Sequence, residues 1–410
     1  MRFLKTQPSL ESVDFQSTTF FKELTNAFAE LQSEKKDASE SPVVQQVSKI
    51  IANHTGMNID ILIDDYDPCI EVPHVDKNHP LVNEFWRNAV NSNDGLALIN
   101  KAEGAVRGTV NTRTGKVTGI FTELKGKIHL NKTLFSGKKF EADEIAAITL
   151  HEVGHLFTYF EYITRSVTTN QVLAGVAKAL DQSGTIEERE AVLISAKQAL
   201  KLSDLDTKEL AKSTNKKVVE IVIITNAARK AESELGSNVY DFSSWEMLAD
   251  QYASRYGAYR PLVTALAKYY KGVYNIAFRG TVGYIVMEVV KLITILSPVL
   301  FIVLVAMDGS GDGTYDVPGA RFKRVRNQIV ENLKDKKLSK DDHERLMADI
   351  AAIDEILSQM NSRRQVFGLL YDSLVPSGRK AYRQEKQQQE LEKLAMNDLF
   401  VKAAELRQMT

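Results

Sequence analysis

The sequence predicts an α+β protein that is predominantly helical, with a small mixed β-sheet packed on one long helix and helical extensions at both ends. Apolar residues recur at helical spacing over most of the 410-residue chain. Period-two alternation, which indicates strands, is confined to short runs before residue 131. The chain is also about two to three times the usual domain length, so more than one packed unit is expected.

The composition is that of a globular protein and excludes several classes. Hydrophobic residues make up 44% of the chain and charged residues 26%, which excludes a disordered or collagen-like protein. A formal net charge of -1 provides no basic field for phosphate, so no nucleic-acid partner is predicted. The single cysteine, Cys69, excludes an internal disulfide and favours the cytoplasm. The N-terminus lacks the apolar stretch of a secretory signal, so export by that route is not expected.

Residues 1–104 are predicted to form a mostly helical N-terminal segment. Apolar residues recur with helical period in three ranges, Ser9–Gln32, Val43–Ile51 and Leu81–Val90. The run Met57–Asp64 alternates instead and predicts a strand. This segment contains no motif to which a chemistry can be assigned.

Residues 105–275 are predicted to form the core of the protein. Three short runs with strand periodicity come first, at Val106–Val110, Lys116–Phe121 and Lys127–Leu130. A strong helix follows from Glu141 to about Ile163, and its acidic first turn suits the positive end of the helix dipole. A helical insertion is predicted over 170–236, followed by a helix from Trp245 to Tyr256.

The segment with the clearest chemistry is His151-Glu152-Val153-Gly154-His155, in the middle of the strongest helix. Histidines at positions i and i+4 lie one turn apart on one face, so both imidazoles can reach the same ion. Glu152 is placed to act on a water at that ion. The alternative is a pair of ordinary histidines, but the surrounding apolar residues make an unpartnered buried pair costly.

A third ligand is expected downstream, because catalytic zinc takes three protein ligands and keeps one position open. Glu246 and Asp250 are again four residues apart on a predicted helix. Glu246 is the candidate ligand, and Asp250 is placed to accept the second ring N–H of a ligand histidine. Taken alone, these two acids could equally be exposed surface residues.

Together, H-E-V-G-H and E-M-L-A-D (Glu246–Asp250) resemble the gluzincin zinc metallopeptidases, in particular the CAAX-prenyl and heat-shock-type membrane proteases and their soluble relatives. The resemblance implies a zincin-like core that binds one zinc ion per chain through His151, His155 and Glu246. It implies that Glu152 is the general base, that Asp250 orients a ligand histidine, and that the substrate is a protein or peptide. It also implies that an edge strand at 127–131 pairs with the substrate backbone.

The chain departs from this family in two respects. The helical stretch between His155 and Glu246 is longer than expected, and one hypothesis is that this insertion covers the cleft as a lid. The late His-Pro and arginine of the family are only partly matched, by Tyr315–Pro318 and Arg321. Tyr252, Tyr256 and Arg321 are the candidates for stabilising the transition state. The other five histidines have no ligand spacing and are predicted to be ordinary polar residues: His54, His74, His79, His129 and His343.

Residues 276–310 contain a hydrophobic tract. The pure apolar run, Leu292–Met307, is shorter than the roughly 20 residues that span a bilayer. Extending it toward Gly280 adds Glu288 and Lys291, which are costly in lipid. Three alternatives remain: a buried core segment, membrane contact through 280–307, or an oligomer interface. A cytoplasmic or membrane-associated protein is expected.

Residues 311–410 are predicted to be a charged helical C-terminal region. The runs Gln384–Leu394 and Asp398–Met409 are typical of solvated or partner-facing helices, through which a homo-oligomer or larger assembly could form. Two functions are therefore predicted. The first is a zinc-dependent endopeptidase. The alternative is a structural or scaffold component of a large assembly, such as a virion, that retains a metallopeptidase-like fold.

Overall fold

The computed structural model describes residues 18–34, 38–75, 79–81, 92–136, 139–237, 239–240, 244–273, 318–333 and 339–361. The chain divides into two compact units, Met1–Leu262 and Val263–Thr410. Both the hydrophobic run at 292–307 and the helices predicted at 384–394 and 398–409 lie outside the described residues. The described part is mostly helical with a small mixed sheet, which confirms the predicted α+β class.

The first unit begins with two helices, α1 (Thr18–Ser33) and α2 (Pro42–Thr55), followed by strand β1 (Asn58–Asp64). The hydroxyl of Ser41 accepts a hydrogen bond from the Val43 amide at 3.1 Å and caps the start of α2. Gly56 ends α2 in the left-handed conformation with φ 75°, which glycine adopts without strain. Alternate residues of β1 are buried, as its sequence pattern predicts.

Among the described residues, four more strands and one α-helix follow before the long central helix, and two of these strands join β1 in the main sheet. Strand β2 (Cys69–Glu71), helix α3 (Gly95–Asn100), hairpin strands β3 (Gly108–Asn111) and β4 (Lys116–Gly119), and strand β5 (Lys125–Asn131) follow in chain order. The strand order of the main sheet is β1-β5-β2. The pairing of β1 with β5 is parallel, and the pairing of β2 with β5 is antiparallel.

This order corrects the expectation that 127–131 is an edge strand. Strand β5 lies in the middle of the described sheet, and β1 and β2 form its two edges, with Ile70 of β2 opposite Ile128. The sequence did not reveal β2 because three residues are too few to establish a period of two.

Helix α4 (Ala142–Gln182) is the central element of the first unit. It begins with a capping box in which Glu144 accepts a hydrogen bond from the Glu141 amide at 2.8 Å. The helix extends past the predicted end near Ile163, through β-branched and polar residues that form helices poorly. The helix continues because its second half is buried on other elements. There the side-chain amide of Gln171 donates a hydrogen bond to the Leu98 carbonyl at 3.0 Å.

The predicted insertion forms α5 (Ile186–Ala199), α6 (Thr207–Ala211) and α7 (Lys216–Leu235). Its apolar core packs on Val172, Val176 and Leu180 in the second half of α4. At 1.5 Å of rise per residue, Val172 lies about 26 Å along the helix axis from His155. This core of the insertion therefore packs beside the far end of α4 and does not support the lid hypothesis.

Two further helices follow, α8 (Trp245–Arg255) and α9 (Tyr259–Val273). In the second unit, α10 (Pro318–Asn332) packs on α11 (Lys340–Asn361), and Arg326 binds Asp354 through two hydrogen bonds of 2.5 and 3.1 Å. Among the helices that the structure describes, none combines the length and apolar character needed to cross a bilayer.

Candidate metal centre

The two histidines of the motif converge on one side of α4. Nε2 of His155 lies 3.1 Å from Nε2 of His151, and the two rings are nearly perpendicular at an interplanar angle of 84°. His151 is buried, whereas His155 is only partly buried. One ligand atom of each imidazole therefore points to the same small volume.

Helix α8 approaches this face of α4 very closely. A Cβ atom on Gly154 would lie 2.8 Å from Cβ of Tyr252, 2.9 Å from Cα of Ala249 and 3.0 Å from its carbonyl oxygen. Only glycine at position 154 allows the two backbones to approach to this distance. The contact brings the first two turns of α8 against His151 and His155.

The close approach of α8 places two acidic residues, Glu246 and Asp250, beside the two histidines. The carboxylate of Glu246 lies 3.5 Å from Nε2 of His151 and 3.3 Å from Nε2 of His155. Asp250 lies on the other side of the His151 ring, with Oδ1 3.0 Å from Nδ1. Ligand atoms of His151, His155 and Glu246 all lie within 4.8 Å of one another, so this group could hold a metal ion.

The electrostatics of His151 reflect this arrangement. Burial by itself disfavours the charged imidazole and would lower its pKa. Hydrogen bonds and Coulombic attraction from Asp250 and Glu246 outweigh burial and raise the pKa of His151 to about 10. The two carboxylates thus create a buried site that favours positive charge, which a divalent cation also supplies.

Glu152 is buried next to this group, with 6% of its surface exposed. Its charge also acts on Cys69 in the edge strand β2. Cys69 is exposed, but partial desolvation of its thiol by neighbouring atoms is the largest contribution to its raised pKa, and the Glu152 carboxylate is the second. Helix α4, which carries Glu152, also packs directly on strand β2.

The structure brings His151, His155, Glu246 and Asp250 together, and Glu152 is buried next to His151 in the sequence of α4. The other candidates are positioned differently. Tyr252 is buried with its hydroxyl 3.3 Å from the Gly115 carbonyl oxygen, and Tyr256 forms a hydrogen bond with Tyr252. These contacts do not place Tyr252 or Tyr256 among the candidate metal ligands. Arg321 is buried within the second unit, on α10.

Among the remaining histidines that the structure describes, His129 and His54 contact acidic side chains. Nδ1 of His129 lies 2.6 Å from Asp64, and His54 lies 3.0 Å from Glu23 while stacking on Phe20. Both belong to local polar contacts, and neither is part of the group of candidate ligands.

Two features of the site were missed by the sequence analysis. The first is strand β2, which gave no periodic signal. The second is the helix contact at Gly154, for which the only sequence signal was a glycine inside a strongly helical pattern, a position that often has a packing reason. Comparisons of this chain with protein-family models, with curated proteins and with solved structures gave no match.

Proposed function

We propose that this protein is a zinc-dependent endopeptidase with a zincin-like core, in which α4 and α8 supply the ligands and the sheet β1-β5-β2 packs beside α4. One observation carries the proposal: His151, His155 and Glu246 present ligand atoms within 4.8 Å, next to the buried Glu152. This geometry joins two motifs that are separated by ninety residues of helical chain, with the second motif following the insertion 170–236.

The donor set fits zinc. Two imidazole nitrogens and one carboxylate form a ligand set that is common in catalytic zinc sites, in which the fourth position is left for water or substrate. Asp250 on Nδ1 of His151 fixes the ring orientation and tautomer, a contact that supports metal affinity. When bound, zinc would supply a Lewis acid that polarises a carbonyl and lowers the pKa of water.

Glu152 supplies the proton transfers. Its carboxylate accepts a proton from the attacking water as the new C–O bond forms at the scissile carbonyl carbon. It then returns this proton to the amide nitrogen as the C–N bond breaks. One water molecule is consumed, and the products are a carboxylic acid and an amine.

The substrate class follows from the edge strand. Within the described sheet, β2 pairs only with β5, so its other edge offers backbone donors and acceptors to an extended peptide. Because α4 packs on β2 and the charge of Glu152 reaches Cys69, a peptide paired on this edge would lie near the general base. The substrate-binding role that the resemblance implied for 127–131 is therefore proposed for Cys69–Glu71.

The test begins with metal content. Purified protein and a His155→Ala variant are offered zinc at neutral pH, dialysed and analysed for bound metal. We expect about one zinc per chain in the wild type and its loss in the variant. Wild-type protein with zinc should then cleave peptides from an extended peptide library, and a chelator should stop cleavage.

Absence of zinc from the wild type after this treatment would overturn the proposal. The alternative function, a scaffold component that retains only the fold of a metallopeptidase, would then be preferred. Stoichiometric zinc without cleavage of any peptide would separate metal binding from the proposed peptidase activity and would also count against the latter.

A further inference from the structure

Tyr159 lies on the metal-binding face of α4. It follows His155 by one helical turn and His151 by two, and residues at this spacing lie on one side of a helix. Its hydroxyl donates a hydrogen bond to the Pro73 carbonyl at 2.9 Å, and the backbone of Val75 forms a hydrogen bond with the same hydroxyl. One side chain thus joins the metal helix to the segment that leaves β2.

Strand β2 needs such a contact. It contains three residues and has a paired neighbour on one side only within the described sheet, and Cys69 and Glu71 are exposed. A strand this short is weakly fixed by its own pairing. Before β2, the side-chain amide of Asn131 donates hydrogen bonds to the backbone carbonyls of Asp65 and Tyr66 at 3.2 and 3.0 Å. After β2, the described anchor to α4 is Tyr159.

Tyr159 also contacts the helix that carries the third candidate ligand. Its ring centroid lies 6.3 Å from that of Trp245, the residue directly before Glu246. The Trp245 indole in turn donates to the Val239 carbonyl at 2.9 Å, which fixes its orientation. The same side chain therefore contacts both the end of the edge strand and the start of α8.

We propose that Tyr159 is a positioning residue, which holds the edge strand β2 at a fixed distance from the candidate metal ligands by clamping Pro73 and Val75. This inference rests on the proposed peptidase function for its consequence in catalysis. A substrate backbone paired on β2 can present its carbonyl to the metal only if β2 itself is held against α4. Tyr159 would therefore act through the strand, without touching the reacting atoms.

The test uses Tyr159→Phe, which removes the hydroxyl and keeps the ring packed near Trp245. The matched control is Tyr240→Phe, which removes a phenolic hydroxyl whose partner is Thr169 at 3.4 Å and leaves the clamp intact. Amide hydrogen exchange is measured on both variants and on the wild type, each with and without added zinc. We expect faster exchange over residues 69–75 in Tyr159→Phe only, with unchanged exchange in β1.

Kinetics give the second readout. For an extended peptide that can pair with β2, Tyr159→Phe should raise KM roughly three- to tenfold, the effect of one lost hydrogen bond on positioning. A substrate too short to reach β2 should be cleaved with unchanged kcat and KM. Tyr240→Phe should match the wild type on both substrates.

The outcomes distinguish this inference from the proposed function. The exchange experiment requires no activity, so it decides the clamp even if wild-type protein cleaves nothing. Equal exchange over 69–75 in Tyr159→Phe and wild type would overturn the inference. Loss of zinc from Tyr159→Phe, or an equal loss of activity on short and extended substrates, would also overturn it, because Tyr159 would then support the metal site as a whole.

Discussion

Gly154 of α4 and Ala249 of α8 are in backbone contact, with the position of a Cβ on Gly154 only 2.9 Å from Cα of Ala249. Gly154 lies between Glu152 and His155, and Ala249 lies between Glu246 and Asp250. The point of closest helix approach therefore lies within both motifs, and it determines whether the two histidines and the two acids meet.

The first prediction concerns this contact. Gly154→Ala should force the two helices apart, because the atoms nearest the new methyl group include backbone atoms of Ala249 that cannot rotate away. Overpacking of this kind costs about 1–3 kcal/mol, against a gain of about 1 kcal/mol from replacing glycine inside a helix. We expect a lower free energy of unfolding and weaker zinc binding, measured by denaturant titration and by competition with a chelator.

Gly104→Ala is the control for this variant, since a Cβ atom on Gly104 meets nothing within 4 Å. It should leave both stability and zinc affinity close to those of the wild type. Wild-type zinc affinity in Gly154→Ala would show that the helix contact does not assemble the site.

The second prediction separates metal binding from proton transfer. Glu152→Gln keeps the size of the side chain and removes its basicity, whereas the three candidate ligands are untouched. Peptide cleavage should fall by roughly 10²- to 10⁴-fold, the usual contribution of a general base. Zinc content should stay at one per chain. Turnover equal to that of the wild type would exclude Glu152 as the base.

The third prediction uses Cys69, the only cysteine in the sequence, as a reporter of the edge strand. Partial desolvation by neighbouring atoms, and then the carboxylates of Glu152 and Asp64, raise the pKa of its thiol. Less thiolate is present at a given pH, so alkylation should be slower than for the unfolded chain and should accelerate only at higher pH. Rates are measured with a small alkylating reagent across a series of pH values.

Glu152→Gln should move this alkylation profile toward lower pH, because it removes one negative charge near the thiol. Glu103→Gln is the control, because it also removes one carboxylate, which here forms an exposed salt bridge with Lys201. It should leave the profile unchanged. An identical profile in Glu152→Gln and wild type would argue that β2 does not pass the general base.

The fourth prediction concerns how the insertion is attached to α4. Arg165 binds Glu161 at 2.7 Å within α4 and Glu234 at 2.8 Å on α7. Glu161 is buried, so Arg165→Ala would leave its charge without this partner. Loss of one member of a buried ion pair costs about 3–5 kcal/mol, and this should appear in denaturant unfolding.

Lys216→Ala provides a matched comparison, because Lys216 and Asp181 also join α7 to α4 but are exposed. Exposed pairs contribute about 1 kcal/mol or less, so this variant should unfold almost as the wild type does. Equal effects of the two substitutions would mean that burial does not determine the strength of these links.

Much of the candidate site was readable from the sequence because helical geometry is local. The four-residue spacing places His151 with His155, and Glu246 with Asp250, on common faces without knowledge of the fold. The predominance of helix and the strand at 58–64 followed from periodicity for the same reason.

Tertiary structure decided what periodicity does not encode. Pairing of the two motifs depends on a backbone contact at Gly154 between residues nearly a hundred positions apart. The edges of the described sheet are β1 and β2 rather than β5, because strand order is set by partners distant in sequence. Helix α4 runs to Gln182, past residues with weak helical preference, because burial of its second half on the insertion stabilises it more than local propensity disfavours it.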